Sequence, residues 1–388
     1  MKIASVECIL LSAPYRHAEY LRSASFVRIT TDSGAVGIGE TYAGVKAPLV
    51  AKAIIDVLAP TIIGEDALAI QRLWRKLVDA THWTQNGIGM GVISGIEMAL
   101  WDLKGKHLGV PVYELLGGLA QPSVRLYAST CPGYWPLPAV HDEIERCVDL
   151  GYDAIKVRLG FGTFAEDVAR AEAVHKMLDG RMDVAFDAGR TPLLEHAWSA
   201  DYAARMLRAL EPFDPLFFEE PTYFEDLDGY RAIRQATSVP VAMGERFTNV
   251  AEFERALDAG AMDIAQPDTA WLGGIMPFLE VARRCERRRV PVAAHGFATG
   301  VSLAANLHAC LANPTCTIAE FPELLDPLRD EVLVEPRRME GGRQLPPTAP
   351  GLGVELSETL IERYPYVSGT SLPTAAEFRQ AWGGGKGG

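Results

Sequence analysis

Seven stretches of this sequence end a short apolar or β-branched run on a group capable of acid, base or ligand chemistry. AIKVRLG (154–160) carries Lys156 and Arg158, DVAFDAG (183–189) carries Asp187, and PLFFEEP (215–221) carries Glu219 and Glu220. PVAMGE (240–245) ends on Glu245, MDIAQPDTA (262–270) holds Asp268, PVAAHGF (291–297) holds His295 and TIAEFP (317–322) holds Glu320. Parallel strands buried on both faces are ordinarily apolar, so a charge at the end of each is the feature to explain. Residues two apart share a face of a strand, which puts Lys156 and Arg158 on one side. If Asp187, Glu219 and Glu245 end successive strands at one height, three carboxylates converge and repel. A hard divalent cation with oxygen ligands relieves that repulsion, and Mg²⁺, keeping open positions for water and substrate, fits best. Glu219 is taken as the ligand in FFEEP, and alternation then turns Glu220 away from the interior. Any one of these carboxylates alone is as well explained by a helix cap or an arginine partner; three in register are not. Asp268 and His295 would end adjacent strands, where a carboxylate to imidazole hydrogen bond fixes the tautomer and raises the basicity of a general acid or base. A lone histidine on an apolar strand is more often a satisfied core residue, and the partner carboxylate is what favours chemistry here.

The elements that must hold these groups follow from the same text. With VRLYAST (124–130) there are eight such runs, alternating with helical text at intervals of 22 to 32 residues, the beat of a (β/α)₈-type barrel. That fold gathers its functional residues at the C-terminal ends of the strands. A doubly wound open sheet is the rival, but no GxGxxG follows a first strand, and Gly87, Gly89 and Gly91 in NGIGMGV sit before a helix with the wrong spacing. Ahead of the barrel, SFVRITTDSGAVGIGE (25–40) reads as a hairpin around Asp32-Ser33-Gly34, followed by helical periodicity over 48–58, 67–80 and 94–108, with Gly109 just beyond. Past Pro322 the chain turns rich in Pro, Gly and Arg and reads as a return segment with little regular structure; its GGGKGG end is expected to be disordered.

Composition excludes several classes of function. The 388 residues include 37 basic and 50 acidic side chains, net charge -13, with 48% hydrophobic and 22% charged residues, an ordinary globular balance. A net negative chain is not built for non-specific nucleic acid or anionic membrane, and any anionic ligand needs local positive charge. Apolar runs are too short to span a bilayer and MKIASVECILL is broken by Glu7, so a cytoplasmic protein is expected. The six scattered cysteines suggest buried thiols rather than disulfides or zinc.

In this order and spacing, SGIEMALWDLKGKHLGVPVYELLGG (94–118), the KxR at 156–158, Asp187, FEEP, MGE, QPD, AHG and the late PGLG (350–353) resemble the enolase superfamily. Within it, the likeness is to the mandelate racemase/muconate lactonizing enzyme family and its mandelate racemase-like branch. The resemblance implies an α/β fold: a modified TIM barrel, (β/α)₇β, over residues 121–335, an N-terminal α+β capping domain over 1–120, and a C-terminal segment, 336–388, returning to the cap. It implies Mg²⁺ on Asp187, Glu219 and Glu245, a His295–Asp268 catalytic dyad, Lys156 beside the substrate carboxylate, and Glu320 as the acid that hydrogen-bonds it. Ser129 is implied as a weaker substrate contact, and a homo-oligomer is expected.

Two positions depart from the family pattern. Gly189 stands where an Asn is frequent, and Arg158 where the racemases of this branch carry a lysine base. Arginine is a poor base but a good anion clamp, which leaves His295 as the single acid/base. One base suits β-elimination of water from a small carboxylate through an enediolate. The expected function is therefore an Mg²⁺-dependent acid-sugar dehydratase acting on an aldonate or aldarate. A racemase, epimerase or lactone cycloisomerase of the same branch is the alternative, and a non-catalytic metal-binding barrel belongs to another class. Specificity should lie in capping loops over 15–22, 42–46 and 82–91, with His17 and Tyr20 as candidate contacts.

Overall fold

The computed structural model describes residues 1–15, 20–82, 84–189 and 197–369. The Gly-rich end for which disorder is expected lies outside the described residues. The chain opens with a three-stranded antiparallel sheet of β1 (Ile3–Tyr15), β2 (Tyr20–Thr31) and β3 (Val36–Thr41), the last two forming the expected hairpin. Four helices follow: α1 (Pro48–Ile62), α2 (Ile70–Ala80), α3 (Ile88–Leu108) and α4 (Val112–Leu115).

The glycine run corrects one expectation. Gly89 and Gly91 lie inside α3, which starts at Ile88, not ahead of it. Close packing accounts for the small residue: a Cβ on Gly91 would stand 2.7 Å from the Trp271 ring, so the helix admits glycine there to receive that indole.

The barrel then alternates strand and helix among the described residues. Its first half is β4 (Val124–Ser129), α5 (Leu137–Asp149), β5 (Ala154–Leu159), α6 (Phe164–Leu178), β6 (Asp183–Ala188), α7 (Ala200–Leu210), β7 (Phe218–Glu219) and α8 (Leu227–Ala236). Its second half is β8 (Val241–Met243), α9 (Val250–Asp258), β9 (Ile264–Ala265), α10 (Ile275–Arg288), β10 (Val292–Ala294), α11 (Gly300–Leu311) and β11 (Cys316–Pro322). Neighbouring strands pair parallel in chain order, and β11 pairs with β4 from Ile318↔Arg125 to Pro322↔Ser129, which closes the barrel as (β/α)₇β. Several strands are shorter than the sequence suggests, and they stop where the polar groups begin. Glu220 takes φ 41 just past β7, Gly244 takes φ 128 past β8, and Pro267, which has no N–H, follows β9.

Period-two alternation sets the barrel's interior. Tyr127, Ala154, Ala185, Phe217, Ala242, Ala293 and Ile318 form one buried cluster. Two residues beyond Ala154, Ala185, Phe217, Ala293 and Ile318 stand Lys156, Asp187, Glu219, His295 and Glu320, on the same strand face and one layer nearer the C-terminal mouth.

Past β11 come α12 (Pro327–Asp330), a small hairpin of β12 (Met339–Glu340) and β13 (Arg343–Gln344), and α13 (Glu358–Arg363). The return segment thus carries more regular structure than expected, because β13 finds the outer end of β4 as an antiparallel partner. It reaches back to α3 and β1: Leu352 N donates to Asp102 Oδ1 at 2.8 Å and Val367 N to Ser12 Oγ at 3.0 Å. All six cysteines are free. Among the described residues no helix is long and apolar enough to cross a membrane.

Candidate active site

Parallel pairing brings the strand-tip residues together. Asp187 and Glu219 are register partners on β6 and β7, Arg158 pairs with Asp187 across β5 and β6, and Ser129 with Lys156 across β4 and β5. Lys156 is 1% exposed and lies among carboxylates, its Nζ 2.8 Å from both Glu219 oxygens, 2.8 Å from Glu320 Oε1 and 3.8 Å from Asp187 Oδ2. The Tyr127 ring lies beneath it, 5.5 Å from the ammonium. Burial works against that charge, but Glu219 and Glu320 carry the Lys156 pKa well above its usual value.

Carboxylates outnumber cations here, and their pKa values divide accordingly. Burial, followed by crowding from Asp187, Glu320 and Glu245 against the pull of Lys156, pushes Glu219 up to about 8. Burial also raises Asp187, even with Lys156 and Arg158 beside it. Glu245 is lowered despite burial, by His295 and Arg246, and Glu320 falls to about 2 despite burial, by Lys156 and His295. Among the described residues no three His, Cys, Asp or Glu side chains already stand at metal-holding separations. The donor chemistry nonetheless suits a hard divalent cation: carboxylates from three successive strand tips, of which Glu245 raises Asp187, and Asp187 and Glu245 raise Glu219.

Asp268 and His295 are hydrogen-bonded. His295 Nδ1 lies 2.8 Å from Asp268 Oδ2, while Nε2 faces Glu245 Oε2 at 3.3 Å and Glu320 Oε2 at 3.8 Å. Burial alone would lower the imidazole pKa, but Asp268, Glu245 and Glu320 carry it up to about 10. Asp268 is oriented by Ala270 N, which donates to Oδ1 at 2.8 Å.

Arg158 sits on the other side of Asp187, with Nε 3.2 Å from Asp187 Oδ2 and Nη1 donating to Thr130 O at 3.4 Å. Burial opposes its charge, yet Asp187 and Glu320 raise its pKa, so it stays a cation. Gly189 explains how the guanidinium fits. A Cβ there would stand 3.1 Å from Phe161 Cε2 and 3.2 Å from Arg158 Cδ, so the glycine leaves room for both side chains. The two departures from the family pattern, Gly189 and Arg158, pack against one another.

Other expected residues are placed differently. Ser129 is buried and its hydroxyl is engaged by Glu320. Tyr20 opens β2 opposite Tyr15, but its side chain lies outside the described residues, as does all of His17. Glu220 is not simply turned outward. It is buried, pairs with Arg246 Nε at 2.9 Å, and is pushed up to about 8 by burial and by Glu245. Arg246 also reaches Glu245 at 3.2 Å, a link for which its position directly after MGE is the only sequence signal.

Three groups that the sequence only brushes, Gln266 in QPD and Tyr42 and Arg22 in the capping loops, gain partners here. Gln266 donates Nε2 to Glu219 Oε2 at 2.6 Å. Tyr42 stands edge-on to His295, ring centroids 6.0 Å apart, and to Trp271 at 5.4 Å. Burial and Glu245 raise the Tyr42 phenol pKa, so it keeps its proton. Arg22, on β2, donates Nη1 to Asp326 Oδ2 at 3.0 Å and packs its guanidinium 4.8 Å from the Phe297 ring.

Both halves of the chain are matched by known families. Residues 139–360 match the family model described as enolase C-terminal domain-like. Residues 15–117 match that of the mandelate racemase / muconate lactonizing enzyme N-terminal domain. The chain belongs to the mandelate racemase/muconate lactonizing enzyme family of the enolase superfamily. Among curated members, the D-galactonate dehydratase of Ralstonia nicotianae is 35% identical over 358 residues, covering 87% of this chain and 89% of that protein. Among solved members, the 3,6-anhydro-D-galactonate cycloisomerase from Zobellia galactanivorans superposes with TM-score 0.86 at 30% identity, covering 94% of this chain and 99% of the other. A racemase from Streptomyces coelicolor, solved with bound magnesium, gives TM-score 0.83 at 29% identity over 93% and 98% of the two chains.

Proposed function

We propose that this enzyme dehydrates an acid sugar, an aldonate or aldarate, to a 2-keto-3-deoxy acid, with Mg²⁺ held by Asp187, Glu219 and Glu245. The observation that carries the reading is the His295–Asp268 pair, 2.8 Å long, with His295 Nε2 facing Glu245 at 3.3 Å, while Arg158 is held as a cation against Asp187 at 3.2 Å. Bound among those carboxylates, Mg²⁺ would act as a Lewis acid toward the substrate carboxylate and offset the charges that hold His295 protonated.

The chain's own groups divide the remaining work. Asp268 accepts the Nδ1 proton and so leaves Nε2 as the reacting nitrogen. Nε2 takes the proton from the α-carbon, the C–H electron pair moves into the carboxylate as an enediolate, and Lys156 and Arg158 supply positive charge where negative charge grows. The electron pair then returns to form the C2–C3 double bond as the C3–O bond breaks. The imidazolium gives its proton to the departing hydroxide, and the resulting enol becomes the ketone. Arg158 cannot serve as a second base, since Asp187 keeps it charged, which disfavours racemisation. Cycloisomerisation uses the same proton abstraction and is the second reading, supported by the likeness to the Zobellia enzyme.

The test is a screen of purified protein with Mg²⁺ against aldonates and aldarates for 2-keto-3-deoxy product. Formation of that product is expected from at least one acid sugar; its absence throughout, with an isomeric acid or ring-opened lactone formed instead, would transfer the assignment to the second reading.

A further inference from the structure

Every residue of α11 is buried, and among its alanines, leucines and valine stand Ser302 and Asn306, one turn apart on the same face. A buried amide is retained when its partners need it. Asn306 is 3% exposed and accepts at Oδ1 from Thr269 N (3.0 Å) and Thr269 Oγ1 (2.8 Å), while its Nδ2 donates to the backbone oxygen of His295 (2.8 Å). One side chain therefore ties the residue after Asp268 to the backbone of His295. Ser302 Oγ approaches Asp268 Oδ1 at 3.5 Å from the same helix face. The helix is itself anchored from β3, where Glu40 accepts from Thr299 N at 2.9 Å and Ser302 N at 3.0 Å.

We propose that Asn306 is a positioning residue that sets the separation of Asp268 and His295, acting on turnover through the dyad without touching substrate; this rests on the functional reading above. Beyond β9 and β10 the two tips share a backbone bond from His295 N to Pro267 O at 3.1 Å, and Asn306 adds a second tie on the far side of Asp268, through Thr269. An error of about 1 Å in such a placement costs on the order of 10- to 100-fold in rate.

The experiment uses the full-length enzyme with Mg²⁺ and the acid sugar found by the screen. Asn306→Ala is expected to lower kcat by about 10- to 100-fold with KM changed less than about 3-fold. In an Asp268→Asn background the same change should cost less than about 2-fold more, because the pair it positions is already gone. The low-field proton resonance of His295 Nδ1–H, assigned by its loss in His295→Asn, should be sharp in the wild type and broadened or absent in Asn306→Ala. Should Asn306→Ala fail to fold, Asn306→Asp keeps an acceptor for Thr269 while losing the donor to His295, and the same readouts apply. An equal loss of kcat in both backgrounds, or an unchanged resonance with unchanged kcat, would overturn the proposal. The resonance needs no substrate, so its loss in a protein that dehydrates no acid sugar would uphold this inference while the functional reading falls.

Discussion

Arg158 and His295 face opposite fates as proton carriers, and the difference lies in their partners. Asp187 fixes the guanidinium as a cation, whereas the imidazole keeps one nitrogen for Asp268 and one for the reacting centre. His295→Asn should therefore fold with an unchanged melting temperature and lose about 10²- to 10⁴-fold in kcat, read by product formation; full activity would remove the residue from the mechanism. Arg158→Lys should lower dehydration and introduce deuterium exchange at the α-carbon in D₂O, since a lysine can release its proton where arginine does not. Failure to gain exchange would show that a second base is not what the site lacks. These residues were legible in the sequence because each stands as a charge or imidazole at the end of an apolar strand run, a pattern that survives without knowledge of contacts. Gln266, Tyr42 and Asn306 were not, because what gives each a role is a partner from another element: Glu219, His295 and Thr269.

The elements owe their mutual placement to buried groups that titrate. Glu40 caps the start of α11, and Glu97 the start of α10 through Ile275 N at 2.8 Å and Met276 N at 2.9 Å; burial pushes both carboxyls up to about 7. Their folded form binds protons more readily than the unfolded chain, so their contribution declines as pH rises from about 4.5 through 7. His308 on α11 runs the other way. Its Nδ1 accepts from Tyr113 N at 3.1 Å, and burial holds its pKa down to about 4. The unfolded chain takes up that proton from about pH 6.5, so the neutral ring's contribution is whole above that pH and is lost as pH falls toward 4. The stability gap between wild type and His308→Gln, from urea unfolding at each pH, should narrow by ~3 kcal/mol between pH 7 and 4, and a constant gap would contradict a neutral buried ring. Hydrophobic periodicity announced α11 no better than any other buried helix, and strand ends were overestimated wherever a positive φ or proline ended the ladder early. The alternation of strand and helix itself was plain, since a parallel barrel writes each strand as a separate apolar run.

At the scale of the molecule the site is assembled from both ends of the chain. Tyr42, Arg22 and Glu40 come from the first sheet and its outgoing turn, the carboxylates and the dyad from the barrel, and the return segment ties back to α3 and β1. Divalent binding should therefore stabilise the whole fold. Mg²⁺ at 100 times its Kd adds about 2.7 kcal/mol, visible as a rise in Tm that Glu219→Gln should abolish; an equal rise in that variant would take Glu219 out of the ligand set. The hairpin of the first sheet and the barrel order could be read from turn residues and strand spacing. The docking of one on the other could not, because it depends on single buried contacts such as Glu40 to Thr299 that span most of the chain. The most direct test of the account is to incubate the enzyme, Mg²⁺ and the acid sugar in D₂O and follow both product and recovered substrate by NMR. The account predicts a 2-keto-3-deoxy acid labelled with deuterium at C3, and deuterium accumulating at the α-carbon without any keto product would contradict it.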